Sequence, residues 1–307
     1  MHRREARSNR WFAARLALPL AILAILAAGC DESTESTAAG PASTTALKTD
    51  AFDAGKAWKL IKLQLGYGQR PAGSPQLRRL AVKLRERMPR GRFERIPGEP
   101  RLRNVVGAVP GKLPAIVVGA HYDTLVEPKG FVGANNGAAG TAIVVQLART
   151  VAAMDRPPGA PQIRFVLFDG EEPAEGLPEE QDDFYSTGLR GSRAYVEAHG
   201  DEVARMILLD YVANEGVRLP REGTSTRSLW NELRSAAGRV GATEQFPAGT
   251  GPSITDDHTP FLRAGIPAID LIDWSYDGHD LSDTIDKLSR GSADAVGETV
   301  LELIAPG

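Results

Sequence analysis

Two histidines and a set of carboxylates are the residues through which this sequence could do chemistry. His121 and Asp123 stand two apart in Gly119-Ala120-His121-Tyr122-Asp123. Residues two apart on an extended segment face the same way, so the Asp123 carboxylate can reach the His121 ring. A carboxylate behind a histidine fixes its tautomer and raises its basicity, a common arrangement at metal ligands. Glu171 and Glu172 are adjacent in Phe168-Asp169-Gly170-Glu171-Glu172. Such neighbours can divide labour: one binds a metal while the other, turned elsewhere, moves protons. Asp210 follows Leu208-Leu209, and Asp256-Asp257-His258 precede Thr259-Pro260-Phe261. His279 lies in Gly278-His279-Asp280, with Asp283 and Asp286 just beyond. Singly, each has an ordinary reading: an acidic pair after a strand is usually a solvated turn, and a lone histidine is usually structural. Together, histidines and carboxylates at strand ends match the nitrogen and oxygen donors of a zinc site.

Other chemistries lack their residues. One cysteine, Cys30, excludes an internal disulfide and a zinc site built on several thiolates. With five histidines in 307 residues, a metal site must lean on carboxylates. The run Gly133-Ala134-Asn135-Asn136-Gly137-Ala138-Ala139-Gly140 has neither Gly-Lys-Ser/Thr nor Gly-x-Gly-x-x-Gly spacing, so it is no phosphate or dinucleotide loop. The chain has no Gly-x-Ser-x-Gly, which weakens a serine hydrolase reading. A formal net charge of −3 gives no nucleic-acid footprint. Apolar residues at 42% and charged residues at 24% are those of a globular chain, and the length allows a core without disulfide staples.

Elements must hold these side chains in place. Short apolar runs at Asn104 to Val109, Ala115 to Val118, Ile163 to Phe168, Met206 to Leu209 and Ala268 to Ile272 do not alternate with polar residues. That pattern predicts central strands covered on both faces. Helical stretches flank and separate them: one from Asp50, ended by Gly66, then Pro75 to Met88, Ala138 to Met154, Ser192 to His199, Ser228 to Val240 and Ala293 to Ile304. Alternating β and α predicts a largely parallel sheet with helices on both sides. In such sheets ligands bind beyond the carboxyl ends of the strands, where the polar residues above fall. The acidic segment from Pro173 to Thr187 has no periodicity and reads as a loop near the site. His258 reads as a residue behind the site, and His199 as a helix cap.

The N-terminus reads as an address. Five arginines against one acid in residues 1–15 precede the uncharged stretch Leu16 to Gly29. A basic region, a short apolar region and small residues are the layout of a secretory signal, and the apolar stretch is too short to span a bilayer. Leu26-Ala27-Ala28-Gly29-Cys30 resembles a bacterial lipobox, with Ala27 where leucine is usual. We therefore expect a lipoprotein signal over 1–29 and lipid attachment at Cys30. Residues 30–49, rich in Ser, Thr and Ala, are expected as a flexible tether, and residues 50–307 as one catalytic domain. The implied location is exported, lipid-anchored at a bacterial membrane surface. Cleavage before Cys30 would remove five basic and one acidic residue and leave a net charge of −7.

From about Tyr67 to the C-terminus, the ordered motifs resemble the zinc-dependent exopeptidases that include bacterial leucyl aminopeptidases, and their relatives the glutaminyl cyclases. The resemblance implies an α/β fold: a three-layer αβα sandwich over a mixed, mostly parallel sheet. It implies peptide substrates and one or two zinc ions. Carried over by position, His121 and Asp210 match the ligands of one zinc, and Glu172 and His279 those of the other. Asp123 matches the residue that orients the first histidine. Glu171 matches the general base that takes a proton from the attacking water.

The departure is at Asn136. The family has an aspartate there, bridging both zincs. A neutral amide offers one weak carbonyl oxygen and removes a negative charge, so weakened binding of at least one metal is expected. Asn136 precedes Gly137, a pair prone to deamidation, which would regenerate the aspartate. Peptide hydrolysis is the leading expectation, with Glu171, Asp123 and Asp256 in the catalytic set. Cyclisation of N-terminal glutamine is the alternative, because Asp256-Asp257-His258 and Asp169-Gly170 are cyclase-like, and aminopeptidases usually have serine at the Asp256 position. Against it, Gly278 stands where cyclases carry tryptophan, and Asp270 where they carry histidine. A peptide-binding pseudoenzyme with impaired metal binding is the third reading.

Overall fold

A computed structural model describes residues 47–177 and 181–306 of the chain. Six strands form one sheet: β1 (Arg92–Ile96), β2 (Glu99–Val109), β3 (Lys112–His121), β4 (Pro161–Phe168), β5 (Val203–Leu209) and β6 (Ala268–Leu271). Their order is β1-β2-β4-β3-β5-β6. β3 runs parallel to β4 and β5, and β5 to β6, whereas β1 and β4 pair antiparallel with β2. Eight α-helices are described: α1 (Ala54–Leu65), α2 (Pro75–Arg85), α3 (Gly140–Ala153), α4 (Gln181–Thr187), α5 (Arg190–His199), α6 (Arg227–Val240), α7 (Thr259–Arg263) and α8 (Arg290–Ile304).

Alternate strand residues feed two cores. Ile116, Val118 and Ala120 of β3, Phe165 and Leu167 of β4, and Ile207 and Leu209 of β5 pack with α1, α2, α3, α6 and α8. Val117, Val166, Phe168, Met206 and Leu208 face the other way, against Tyr195 of α5 and Phe261 of α7. With both faces covered, the strand sequences have no polar side, which is why the runs are continuous. This is the expected αβα sandwich over a mixed, mostly parallel sheet. Helix ends follow local chemistry. The Asp53 carboxylate accepts the Lys56 N–H at 2.8 Å to start α1, and Ser74 Oγ accepts the Leu77 N–H at 3.1 Å to start α2.

Three elements were not foreseen. β1, Arg-Phe-Glu-Arg-Ile, is a short edge strand rich in charge, the kind that resists unwanted pairing. The second half of the segment expected as a loop, Gln181–Thr187, is α4, and Thr259–Arg263 is α7. The folded chain also begins earlier than Asp50. Lys48 N–H donates to the Val240 carbonyl at 2.9 Å, and Thr49 Oγ1 donates to Glu298 at 2.7 Å. The expected signal, the lipidation site at Cys30 and the tether up to residue 46 lie outside the described residues. Among the described residues no helix is long and apolar enough to cross a membrane.

Register places the polar strand ends side by side. His121 of β3 pairs with Phe168, the last residue of β4, so the Asp169–Glu172 segment emerges next to it. Gly119 pairs with Leu208 of β5. His121 and Asp210, each two residues further on, therefore come level.

Candidate metal centre

His121 is buried, and its ring nitrogens face different partners. Nε2 lies 3.4 Å from Asp210 Oδ1. Nδ1 lies 3.6 Å from Glu171 Oε2 and 3.7 Å from Asp123 Oδ1. Neither nitrogen makes a hydrogen bond among the described residues. A buried imidazole ringed by carboxylates without well-formed hydrogen bonds is an arrangement that a metal ion completes. A ring nitrogen of His121 and one oxygen each of Glu171 and Glu172 lie within 4.8 Å of one another. Nitrogen and carboxylate oxygen donors without thiolates suit zinc. The residues present fit the expected ion.

Asp123 does more than face His121. Its two oxygens accept the backbone N–H groups of Glu171 (3.3 Å) and Glu172 (3.2 Å). The carboxylate thus fastens the acidic pair beside the histidine. Arg190 holds the same segment from the other side, donating to the carbonyls of Gly170 (3.2 Å) and Glu172 (2.7 Å). Asp169 accepts the Tyr122 hydroxyl at 3.1 Å and the Arg103 N–H at 2.9 Å, tying the acidic segment to β2.

Asn136 sits in a distorted turn before α3. Gly137, at φ 90, is required there: a Cβ would lie 2.6 Å from the Asp123 carbonyl oxygen. The Asp283 carboxylate clamps the turn by accepting the N–H of Asn135 (2.9 Å) and of Asn136 (3.0 Å), and it also accepts the Tyr276 hydroxyl at 2.6 Å. Arg70, fully buried, donates to the carbonyls of Gly68, Val132 and Gly133. Sequence reasoning missed Arg70 and Tyr211, and no local pattern marks either.

A cavity of about 150 Å³ opens on this cluster. Asn136, Glu171, Glu172, Asp210, Asp256 and His279 line it, with apolar walls from Leu125, Phe184, Tyr211, Ile254, Ile272 and Trp274. Most of the expected site residues thus meet in one place, with His121 and Asp123 directly behind. His279 reaches the same cavity but is exposed, and it stands outside the close donor group. His258 is buried elsewhere, with Nε2 2.9 Å from Thr224 Oγ1 and 3.2 Å from Glu222 Oε2. His199 does not cap its helix; it pairs with Glu94 of β1 at 3.1 Å.

Crowded negative charge dominates the electrostatics. Burial pushes the Glu172 carboxyl up to about 8; Asp123 and Asp210 add to the rise, while His121 and the Asn136 amide oppose it. Burial and then Glu172 raise Glu171 well above the usual range. Burial and Asp210 push Asp256 up to about 6. Burial opposes a charge on His121, but Glu171, Asp123 and Asp210 outweigh it and hold its pKa well above the ordinary value. Burial lowers Arg70 to about 10, against the pull of Asp123 and Asp283.

Histidine and carboxylate donors gathered at the carboxyl ends of a mixed αβα sheet suit a metal centre. Residues 104–304 match Peptidase family M28, and the chain belongs to that family. It is 26% identical over 215 residues to the glutaminyl-peptide cyclotransferase of Bos taurus, covering 58% of each chain. It is 28% identical over 207 residues to aminopeptidase YwaD of Bacillus subtilis, covering 62% of this chain and 40% of that one. The chain therefore spans about half the length of these curated relatives. Among solved structures it is similar to an Acidobacteriales bacterium glutaminyl cyclase, with TM-score 0.73, 25% identity, and 86% of this chain and 97% of that chain covered.

The raised carboxyls make the zinc-free protein sensitive to pH. A group whose folded pKa lies above its unfolded value stabilises the fold below the unfolded pKa, and that contribution is lost as pH rises through the folded pKa. For Glu172 the window runs from 4.5 to about 8. His121, also raised, changes in the same direction. Glu222, held at about 2 by His258 and by backbone N–H groups against its burial, loses its contribution only below this window. The melting temperature of zinc-free protein should fall between about pH 5 and about pH 8, and added zinc should raise it more at the upper end. A zinc-free melting temperature that rises across this range contradicts the assignment.

Proposed function

We propose that the protein is a zinc-dependent enzyme acting on the amino-terminal residue of peptides, with hydrolysis of the first peptide bond as its reaction. The carrying observation is the cavity itself. It brings Glu171, Glu172, Asp210, Asp256 and His279 together with apolar walls around one opening. Asp256, an acid on its wall outside the expected metal ligands, suits a cationic α-amino group. The apolar walls receive a side chain.

A zinc ion bound here polarises a carbonyl and brings the pKa of water near 7. The remaining work belongs to the chain. Glu171 takes the proton of the attacking water and returns it to the leaving amine. Burial and then Glu172 raise its affinity for a proton, which suits the accepting half of that task. Asp123 keeps Glu171 and Glu172 in place through their backbone N–H groups. Leu125, Phe184 and Trp274 give the cavity apolar walls.

Closure of an N-terminal glutamine is the second reading. It is supported by Asp256, an acid on the cavity wall at the position where aminopeptidases usually have serine. We also read residues 1–29 and Cys30 as an export signal and lipid anchor. Expression of the full chain with Cys30→Ala should move the protein from the membrane fraction to the soluble fraction; an unchanged distribution removes the anchor.

One assay separates the reactions. The zinc-loaded protein is offered a leucine anilide and a glutaminyl peptide. Free arylamine supports hydrolysis, and loss of ammonia from the second substrate supports cyclisation. In either case Glu171→Gln should lower kcat by about 10²- to 10⁴-fold with zinc content unchanged. An unaffected rate removes Glu171 from the mechanism.

A further inference from the structure

Positive charge is concentrated at the edge of the sheet, away from the metal centre. Residues 78–103 carry ten arginines and lysines against three glutamates, +7 within a chain of −3. Between α2 and the β1–β2 hairpin lies a groove of about 780 Å³. Its walls include Arg78 of α2, Phe93 and Arg95 of β1, and Glu99, Arg101 and Arg103 of β2. It shares no wall residue with the metal cavity. Arg78, Arg95 and Arg101 are exposed, and Glu99 is the one acid in the walls.

The groove is built against its own electrostatics. Arg95 and Arg103 are direct partners across the antiparallel ladder. Like charges directly opposite destabilise a sheet. The nearby acids are engaged elsewhere: Glu86 with Lys83, and Glu94 with Arg92 and His199. Among the described residues, none of Arg78, Arg95, Arg101 and Arg103 forms an ion pair. The positions are nevertheless held. Arg103 Cζ lies 4.0 Å from the centre of the Phe93 ring, and Arg85 Cζ 4.8 Å from it. Arg103 Nη2 donates to the Arg78 carbonyl at 2.8 Å, while its Nε is buried with no hydrogen-bond partner. Stacking thus fixes a guanidinium whose charge the protein leaves unmatched.

We propose that this groove binds a phosphate monoester, held by Arg95, Arg101 and Arg103 with Arg78 at its side. Arginine presents a planar fork of N–H donors that matches the oxygens of phosphate. Four guanidinium groups against one glutamate call for a multiply charged anion, and a phosphate monoester carries nearly two negative charges at neutral pH. The bound anion offsets the repulsion between Arg95 and Arg103. Soluble esters and lipid headgroups carry this group alike. The site stands apart from the metal centre and does not depend on the reaction there.

The test measures binding, independently of activity. Full-length protein is titrated calorimetrically with glycerol 3-phosphate, and sedimented with phosphatidylcholine vesicles that contain or lack phosphatidic acid. It is compared with the double variant Arg95→Gln with Arg101→Gln. A control pair, Lys59→Gln with Arg227→Gln, removes the same charge at two exposed positions elsewhere. Circular dichroism checks folding. The parent and the control pair should bind at least one phosphate probe, and the groove pair should bind it about tenfold more weakly or worse. Binding of glycerol 3-phosphate supports a soluble ester. Binding only to vesicles with phosphatidic acid supports a headgroup. No binding of either probe, unchanged affinity in the groove pair, or an equal loss in both pairs overturns the proposal. So does tighter binding of an N-acetylated hexaglutamate peptide than of either phosphate probe, since the groove then selects carboxylates.

Discussion

Buried negative charge is the constraint on which this structure turns. Asp123, Glu171, Glu172, Asp210, Asp256 and Asp257 are all buried around His121, and Arg70 is a buried positive charge facing Asp123 and Asp283. Carboxylates out of water cannot all stay ionised unless something positive joins them. The chain offers three kinds of relief. Backbone N–H groups point at Asp123 and Asp283. Arg70 stands behind both. Protons take up the remainder, which is why so many of these groups hold them above the ordinary range. A divalent ion replaces the protons and turns a liability into a reactive centre.

The same constraint explains the scaffolding. The acidic segment after β4 leaves the sheet beside His121, where its two glutamates would repel each other and Asp123. Asp123 accepts their N–H groups, and Arg190 holds their carbonyls, so the segment cannot swing away. The turn at Asn136 is closed by Asp283 from a distant loop, and Tyr211 links that turn to the end of β5. Rigid strands set the positions, and long-range polar contacts set the orientations. The product is an acid-floored cavity with apolar walls.

Much of the centre was legible in the sequence because strand ends announce it. His121, Glu171, Glu172 and Asp210 each follow an apolar run, and parallel register brings such ends together. The rest depends on partners far apart in sequence. Arg70 meets Val132 across 62 positions, Asn136 meets Tyr211 across 75, and Asn135 meets Asp283 across 148. No local pattern encodes those meetings. His199 was misplaced for the same reason: its partner Glu94 is 105 positions away, on a charged edge strand with little strand signal of its own. The replacement of an expected tryptophan by Gly278 looked like a loss in sequence. In the fold it makes room for Tyr211.

The central claim is that the buried donors around His121 form a zinc centre. Crystals grown with zinc, measured at wavelengths on both sides of the zinc absorption edge, locate the ion directly. The expected result is an anomalous peak at the donor group of His121, Glu171 and Glu172. No anomalous peak at this group would contradict it.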